Sequence, residues 1–222
     1  MQRALNWSVF AIVLTWAATA AADPLKLKGD YAFTGTAACL YAPGSTPPAP
    51  PPVPGTPRAN AGFNPNLTPV DGRVFSRSFS VEGIRTFNGD GTGTVKATAV
   101  GIVPPPTPQP PGAPAFPPDA SSETFTFSFT YTVFPDGTWT TDMVPGSFSG
   151  TVVTGPRTGQ TFTIDVLPFT GLIGEDAKVL TLASVDPTVE TVTFSNGDAW
   201  PRICHRSRVL IKMRGKDRDD RD

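Results

Sequence analysis

Apolar and polar residues alternate along most of this chain, and the alternation has a period of two. It is clearest from Glu123 to Phe134, where Phe125, Phe127, Phe129, Tyr131 and Val133 fall on one face and Thr124, Thr126, Ser128, Thr130 and Thr132 on the other. A helix would scatter those aromatics round its circumference, so the run predicts a half-buried β-strand. Weaker runs of the same kind, rich in β-branched and aromatic residues, occupy 30–41, 73–87, 93–103, 138–144, 147–154, 160–169, 177–185, 188–195 and 203–213. Hairpin turns are signalled at Asn88-Gly89-Asp90-Gly91, Asp136-Gly137 and Asn196-Gly197, where Gly and Asn accept the positive φ that tight turns require. No stretch sustains a helical apolar period.

About ten strands in succession predict an all-β chain folded as a single up-and-down antiparallel β-barrel of about 8–10 strands, since closure removes exposed sheet edges. A β-sandwich is the alternative. In a regular meander, the connections after odd-numbered strands share one end. That places the connections at 42–72 and 104–122 side by side on one rim, with the Met143 to Ser147 connection beside them.

Composition marks those two connections. Of the 26 prolines, 19 lie between Pro43 and Pro69 or between Pro104 and Pro118, which makes them proline-rich loops rather than signs of a disordered whole. At the N-terminus, Arg3, the apolar stretch Val9 to Trp16 and the small residues Ala17 to Ala22 have the form of a signal peptide over 1–22, cleaved before Asp23. A retained N-terminal anchor is the competing reading. The expectation is a periplasmic or extracellular barrel over 23–213, ending in a disordered charged tail at 214–222. A net charge of -1 and 17% charged residues give no reason to expect nucleic acid as a partner. No integral membrane segment is expected after cleavage.

Cys39 and Cys204 are the two cysteines, and they sit on the first and last predicted strands. In an oxidising compartment they predict a disulfide, which would make those strands neighbours. Catalytic or metal-binding thiols are the alternative, without C-x-x-C spacing or supporting histidines. Direct cross-strand pairing of the cysteines sets Ala37 opposite Arg206, Gly35 opposite Arg208 and Phe33 opposite Leu210, with room at Gly35 for a guanidinium. Arginines of a last strand ordinarily point outward to solvent beside Lys212. Turned inward, Arg206 or Arg208 would hold an anionic ligand.

Conventional hydrolase chemistry finds little support. His205 is the one histidine, and Gly146-Ser147-Phe148-Ser149-Gly150 lacks the central serine of a nucleophile elbow. Glu82, Glu123, Glu175, Glu190 and Asp165 would support acid/base chemistry if they met in a cavity, and otherwise read as solvated residues. Asn88, Asp90 and Thr92 resemble the start of a calcium loop but lack its closing Glu, so a hairpin turn is the reading adopted. No metal and no cofactor is expected. The proline tracts read as spacers, or as polyproline ligands for a protein partner whose identity stays open.

Gly29-Asp30-Tyr31 resembles the G-x-W motif at the start of lipocalins, with Tyr31 in place of Trp. Arg206 or Arg208 resembles the last-strand arginine that packs over that aromatic. The hairpins at Asn88 to Gly93 and Pro135 to Trp139 also resemble those of bacterial lipocalin-like and allene-oxide-cyclase-like (calycin-like) barrels. The resemblance implies a barrel that accepts a small apolar ligand, with Phe125, Phe127, Phe129, Tyr131, Arg206 and Arg208 as candidate ligand-binding residues. A cavity-based isomerase or cyclase is a second expectation. Others are a surface interaction protein using its proline-rich loops, and an outer-membrane barrel, against which the charged residues on several strands argue.

Overall fold

The computed structural model describes residues 26–42, 62–70, 74–104, 119–184 and 186–214. The expected signal peptide, most of both proline-rich tracts and the end of the charged tail lie outside them.

Eleven antiparallel strands form one sheet: β1 (Lys28–Tyr41), β2 (Phe75–Asn88), β3 (Thr92–Val103), β4 (Asp119–Val133), β5 (Thr138–Met143), β6 (Ser149–Thr154), β7 (Thr161–Ile164), β8 (Phe169–Leu172), β9 (Val179–Ala183), β10 (Val189–Phe194) and β11 (Ala199–Lys212). β1 pairs with β2 on one side and β11 on the other, so the sheet wraps onto itself. It is a barrel, not a sandwich. Alternation decides which face is inside: Phe127, Phe129 and Tyr131 are buried, while Thr124, Thr126, Thr130 and Thr132 are exposed.

β1, β2, β3, β4 and β11 are long and run the height of the barrel. Between β4 and β11 the wall divides. Residues 129–133 of β4 pair with β5, and residues 122–126 pair with β6. On β11, residues 207–211 pair with β9 and residues 199–203 with β10. One panel is therefore β5–β8–β9 and the other β6–β7–β10, and either completes an eight-strand ring with the five long strands.

This division corrects the regular ten-strand meander. The run 160–169 is two strands, because Pro168 cannot donate to a ladder and the chain crosses from one panel to the other at 165–168. The 143–147 connection makes a similar crossing. It lies at mid-height, where Val144 N donates to Ser128 O at 2.9 Å, and not on the rim. The strand ends that flank the two proline tracts do lie at one end, since Tyr41 pairs with Phe75, Val103 with Asp119 and Ile102 with Ser78.

The opposite end carries the Asn88–Gly91 and Asp136–Gly137 hairpins and is closed by rings. Phe87 packs edge-on against Tyr31 at 5.1 Å, Tyr131 at 5.1 Å, Phe129 at 5.4 Å and Trp139 at 5.7 Å. The polar tips inside that plug are satisfied. Tyr31 Oη donates to Ala177 O at 2.8 Å and Tyr131 Oη to Leu27 O at 2.7 Å. The hairpin reading of the calcium-like segment holds, with Thr92 N donating to Asp90 Oδ1 at 2.9 Å.

Candidate functional site

The candidate site is the middle of the barrel. β1 turns a face of small residues inward there, Gly35, Ala37 and Cys39, and this leaves space for the long side chains of its two neighbours. The register is the one the cysteines predict: Cys39 faces Cys204, Ala37 faces Arg206, Gly35 faces Arg208 and Phe33 faces Leu210. The cysteine sulfurs meet at bonding distance, buried, with Cα atoms 4.0 Å apart. A Cβ at Gly35 would stand 2.1 Å from Ser207 O and 2.6 Å from Arg208 Cδ, so only glycine admits that arginine.

An inward Cys204 fixes the parity of β11. Residues 202, 206 and 208 then point inward with it, which overturns the expectation of outward, solvated arginines: Arg202 and Arg206 are buried and Arg208 is half-buried. β2 adds Arg77 and Arg85, both buried. Against these five guanidiniums the described residues supply two buried carboxylates, Glu190 from β10 and Glu123 from β4.

Glu190, 2% exposed, is gripped by Arg202 Nε and Arg206 Nη2, and Cys204 Sγ lies 3.2 Å from its Oε1. Arg202 Nη1 also donates to Tyr41 Oη at 2.5 Å. Burial pulls the Arg202 guanidinium down, but Glu190 and Tyr41 more than offset it and hold it above its ordinary range. Glu123 pairs with Arg77 at 3.0 Å, and Ser121 bridges the two.

Among the described residues, Arg85 and Arg208 have no carboxylate partner. Arg85 is 3% exposed, its Nη1 has no hydrogen-bond partner, and its guanidinium lies over the Phe129 ring at 4.2 Å. Burial, with the charge of Arg208 adding to it, pushes Arg85 down to about 9. Arg208 donates to two backbone carbonyls, Thr36 O at 2.5 Å and Ser207 O at 2.8 Å. Burial and Arg206 push it down to about 10. A guanidinium surrenders its proton reluctantly, so such depression marks cations short of counter-charge.

Between these arginines and the aromatic walls is a cavity of about 80 Å³, lined by Arg85, Arg206 and Arg208 and by Phe33, Phe125 and Phe127. Phe148 and Leu167, from the two segments that cross between the panels, also line it. Of the sequence-predicted ligand residues, Phe125, Phe127, Arg206 and Arg208 line the cavity, whereas Phe129 and Tyr131 belong to the aromatic plug. Glu82 and Glu175 are exposed, and Asp165 accepts from Thr191 N at 3.0 Å. The place over Tyr31 that the lipocalin resemblance gives to an arginine is held by Lys212, whose Nζ is 5.9 Å from the ring centroid.

Sequence reasoning missed Arg77 and Arg85. Their signal was phase: they occupy the same parity on β2 as Phe75, Phe79 and Phe87. Among the described residues, no group of three or more His, Cys, Asp or Glu side chains is arranged to hold a metal ion. Comparison with protein-family models, with curated proteins and with solved structures gives no match.

Proposed function

We propose that this protein is an exported, lipocalin-like barrel that holds a small, largely apolar molecule in its interior rather than transforming it. The observation that carries this reading is the aromatic-walled cavity of about 80 Å³ at mid-barrel. A water needs roughly 10–15 Å³ on this measure, so the space suits several waters or one small organic molecule. Apolar walls favour the second.

Holding suits the lining better than turnover does. The carboxylate among the lining side chains, Glu123, is already engaged by Arg77 at 3.0 Å and by Ser121. Export rests on the N-terminal segment, and the cysteine pair suits an oxidising compartment. The outward face of β4 is Thr and Ser throughout its middle, and Lys96 and Glu82 interrupt the outward faces of β3 and β2, where a membrane barrel would carry a continuous apolar band; this supports an aqueous setting.

Native mass spectrometry of protein purified from its own source tests the reading. A stoichiometric adduct of low mass that is lost on denaturation is the expected result. Bare protein that also takes up no small aromatic or aliphatic compound would defeat it.

A further inference from the structure

We propose that the molecule held in the barrel is a small carboxylic acid with an apolar body, its carboxylate on Arg85 and Arg208 and its body against Phe33, Phe125 and Phe127. This rests on the reading that the interior holds a ligand and names the class of that ligand.

The first ground is the state of Arg85. It lines the cavity, is 3% exposed, and leaves Nη1 without an acceptor. A guanidinium buried among rings with an N–H left unmatched by any protein acceptor is costly, and folded proteins rarely keep one without a use. The second is charge balance. Among the described residues, five inward guanidiniums face the buried Glu123 and Glu190 and a half-buried Asp119 at the far end of β4, so positive charge is in excess. Glu190 serves Arg202 and Arg206, and Glu123 serves Arg77. The excess therefore concentrates on Arg85 and Arg208, which repel each other across the cavity. An anion between them converts that repulsion into two charge-assisted pairs.

The third ground is the rest of the lining. Phe33, Phe125, Phe127 and Leu182 offer a bare inorganic ion nothing, whereas a short aliphatic or aromatic body buries against them. A planar carboxylate also matches the fork of a guanidinium. The volume, about 80 Å³, limits the body to a few carbons.

Titration calorimetry on the full mature chain, stripped of bound molecules with its disulfide intact, tests the inference. The probes are straight-chain carboxylates from acetate to octanoate, benzoate, the matched primary alcohols, sodium phosphate and sodium chloride. Acids of intermediate length are expected to bind at least about tenfold more tightly than alcohols of equal length, the yield of one good charge-assisted contact. R85M and R85Q should lose that margin for acids while leaving the alcohols unchanged, and R85K should keep part of it. Thermal melts establish that each variant is folded. F127W, which fills the cavity, should abolish acid and alcohol binding together.

If acids and alcohols bind alike and R85Q changes neither, the carboxylate inference fails while the cavity reading stands. If phosphate or chloride binds as well as the acids, without dependence on chain length, the apolar half of the inference fails. If no probe binds, both readings fail.

Discussion

At the residue scale, the interior arginines divide by whether a carboxylate meets them, and the two groups should respond to mutation with opposite signs. Removing Glu190 leaves Arg202 and Arg206 buried without a counter-charge. E190A should therefore lose about 3–5 kcal/mol in urea unfolding, the range for breaking a buried pair. R85M removes a cation that has no carboxylate partner and only the Phe129 and Trp139 rings against it, so the ligand-free variant should gain about 1–4 kcal/mol, as when buried charge gives way to hydrophobe. Loss of stability in ligand-free R85M would mean that the Phe129 and Trp139 rings already compensate the buried Arg85 charge. A third prediction concerns acid. Hydrogen bonds from Thr138 hold the exposed Asp136 carboxyl below its ordinary 3.8, as Thr92 does for Asp90. The folded form thus binds its proton less readily than the unfolded form. What each carboxylate contributes is present in full above the ordinary value and is lost as pH falls through the lower folded one. NMR titration should place both midpoints under 3.8, and midpoints at or above it would contradict the turn geometry. The inward arginines were partly legible in the sequence: Arg77 and Arg85 share the parity of Phe75, Phe79 and Phe87. Solvation outweighed phase in the expectation, because a lone arginine on a strand is ordinarily outside.

At the element scale, the pairing of β1 with β11 is the closure on which the interior depends. Its register was legible, because two cysteines on distant strands fix every neighbouring pair once they are joined. Two changes probe it. A side chain at Gly35 would strike Ser207 O, built 2.1 Å from the new Cβ, and would force the two strands apart. G35V should therefore cost about 1–3 kcal/mol or more in urea unfolding and disturb Arg208. Reducing the disulfide, which spans 165 residues, should cost roughly 5 kcal/mol on the chain-entropy account. Equal unfolding midpoints with and without reductant would show that closure does not depend on it. The split of the wall into two panels was not foreseen, although its cause lies in strand length. β4 has 15 residues while β5 and β6 have 6 each, so one partner cannot cover it and two stacked partners do. Hydrophobic period reports which way a side chain points and says nothing of which strand pairs with which.

At the scale of the whole molecule, one end of the barrel is sealed by the Tyr31, Phe87, Phe129, Tyr131 and Trp139 cluster, and the middle is left hollow and cationic. The sealed end closes one approach to the hollow. The hollow in turn makes the charges of Arg85 and Arg208 costly unless an anion joins them. A fold with its core filled by side chains would have no use for that arrangement. On the proposal made above, the excess charge is half of a binding site whose other half arrives with the ligand. Crystals of protein taken from its natural source and never denatured would test this most directly. Non-protein density within hydrogen-bond distance of Arg85, extending between Phe33 and Phe127, is the predicted result. An interior packed solid, or Arg85 paired with a carboxylate of the chain itself, would contradict it.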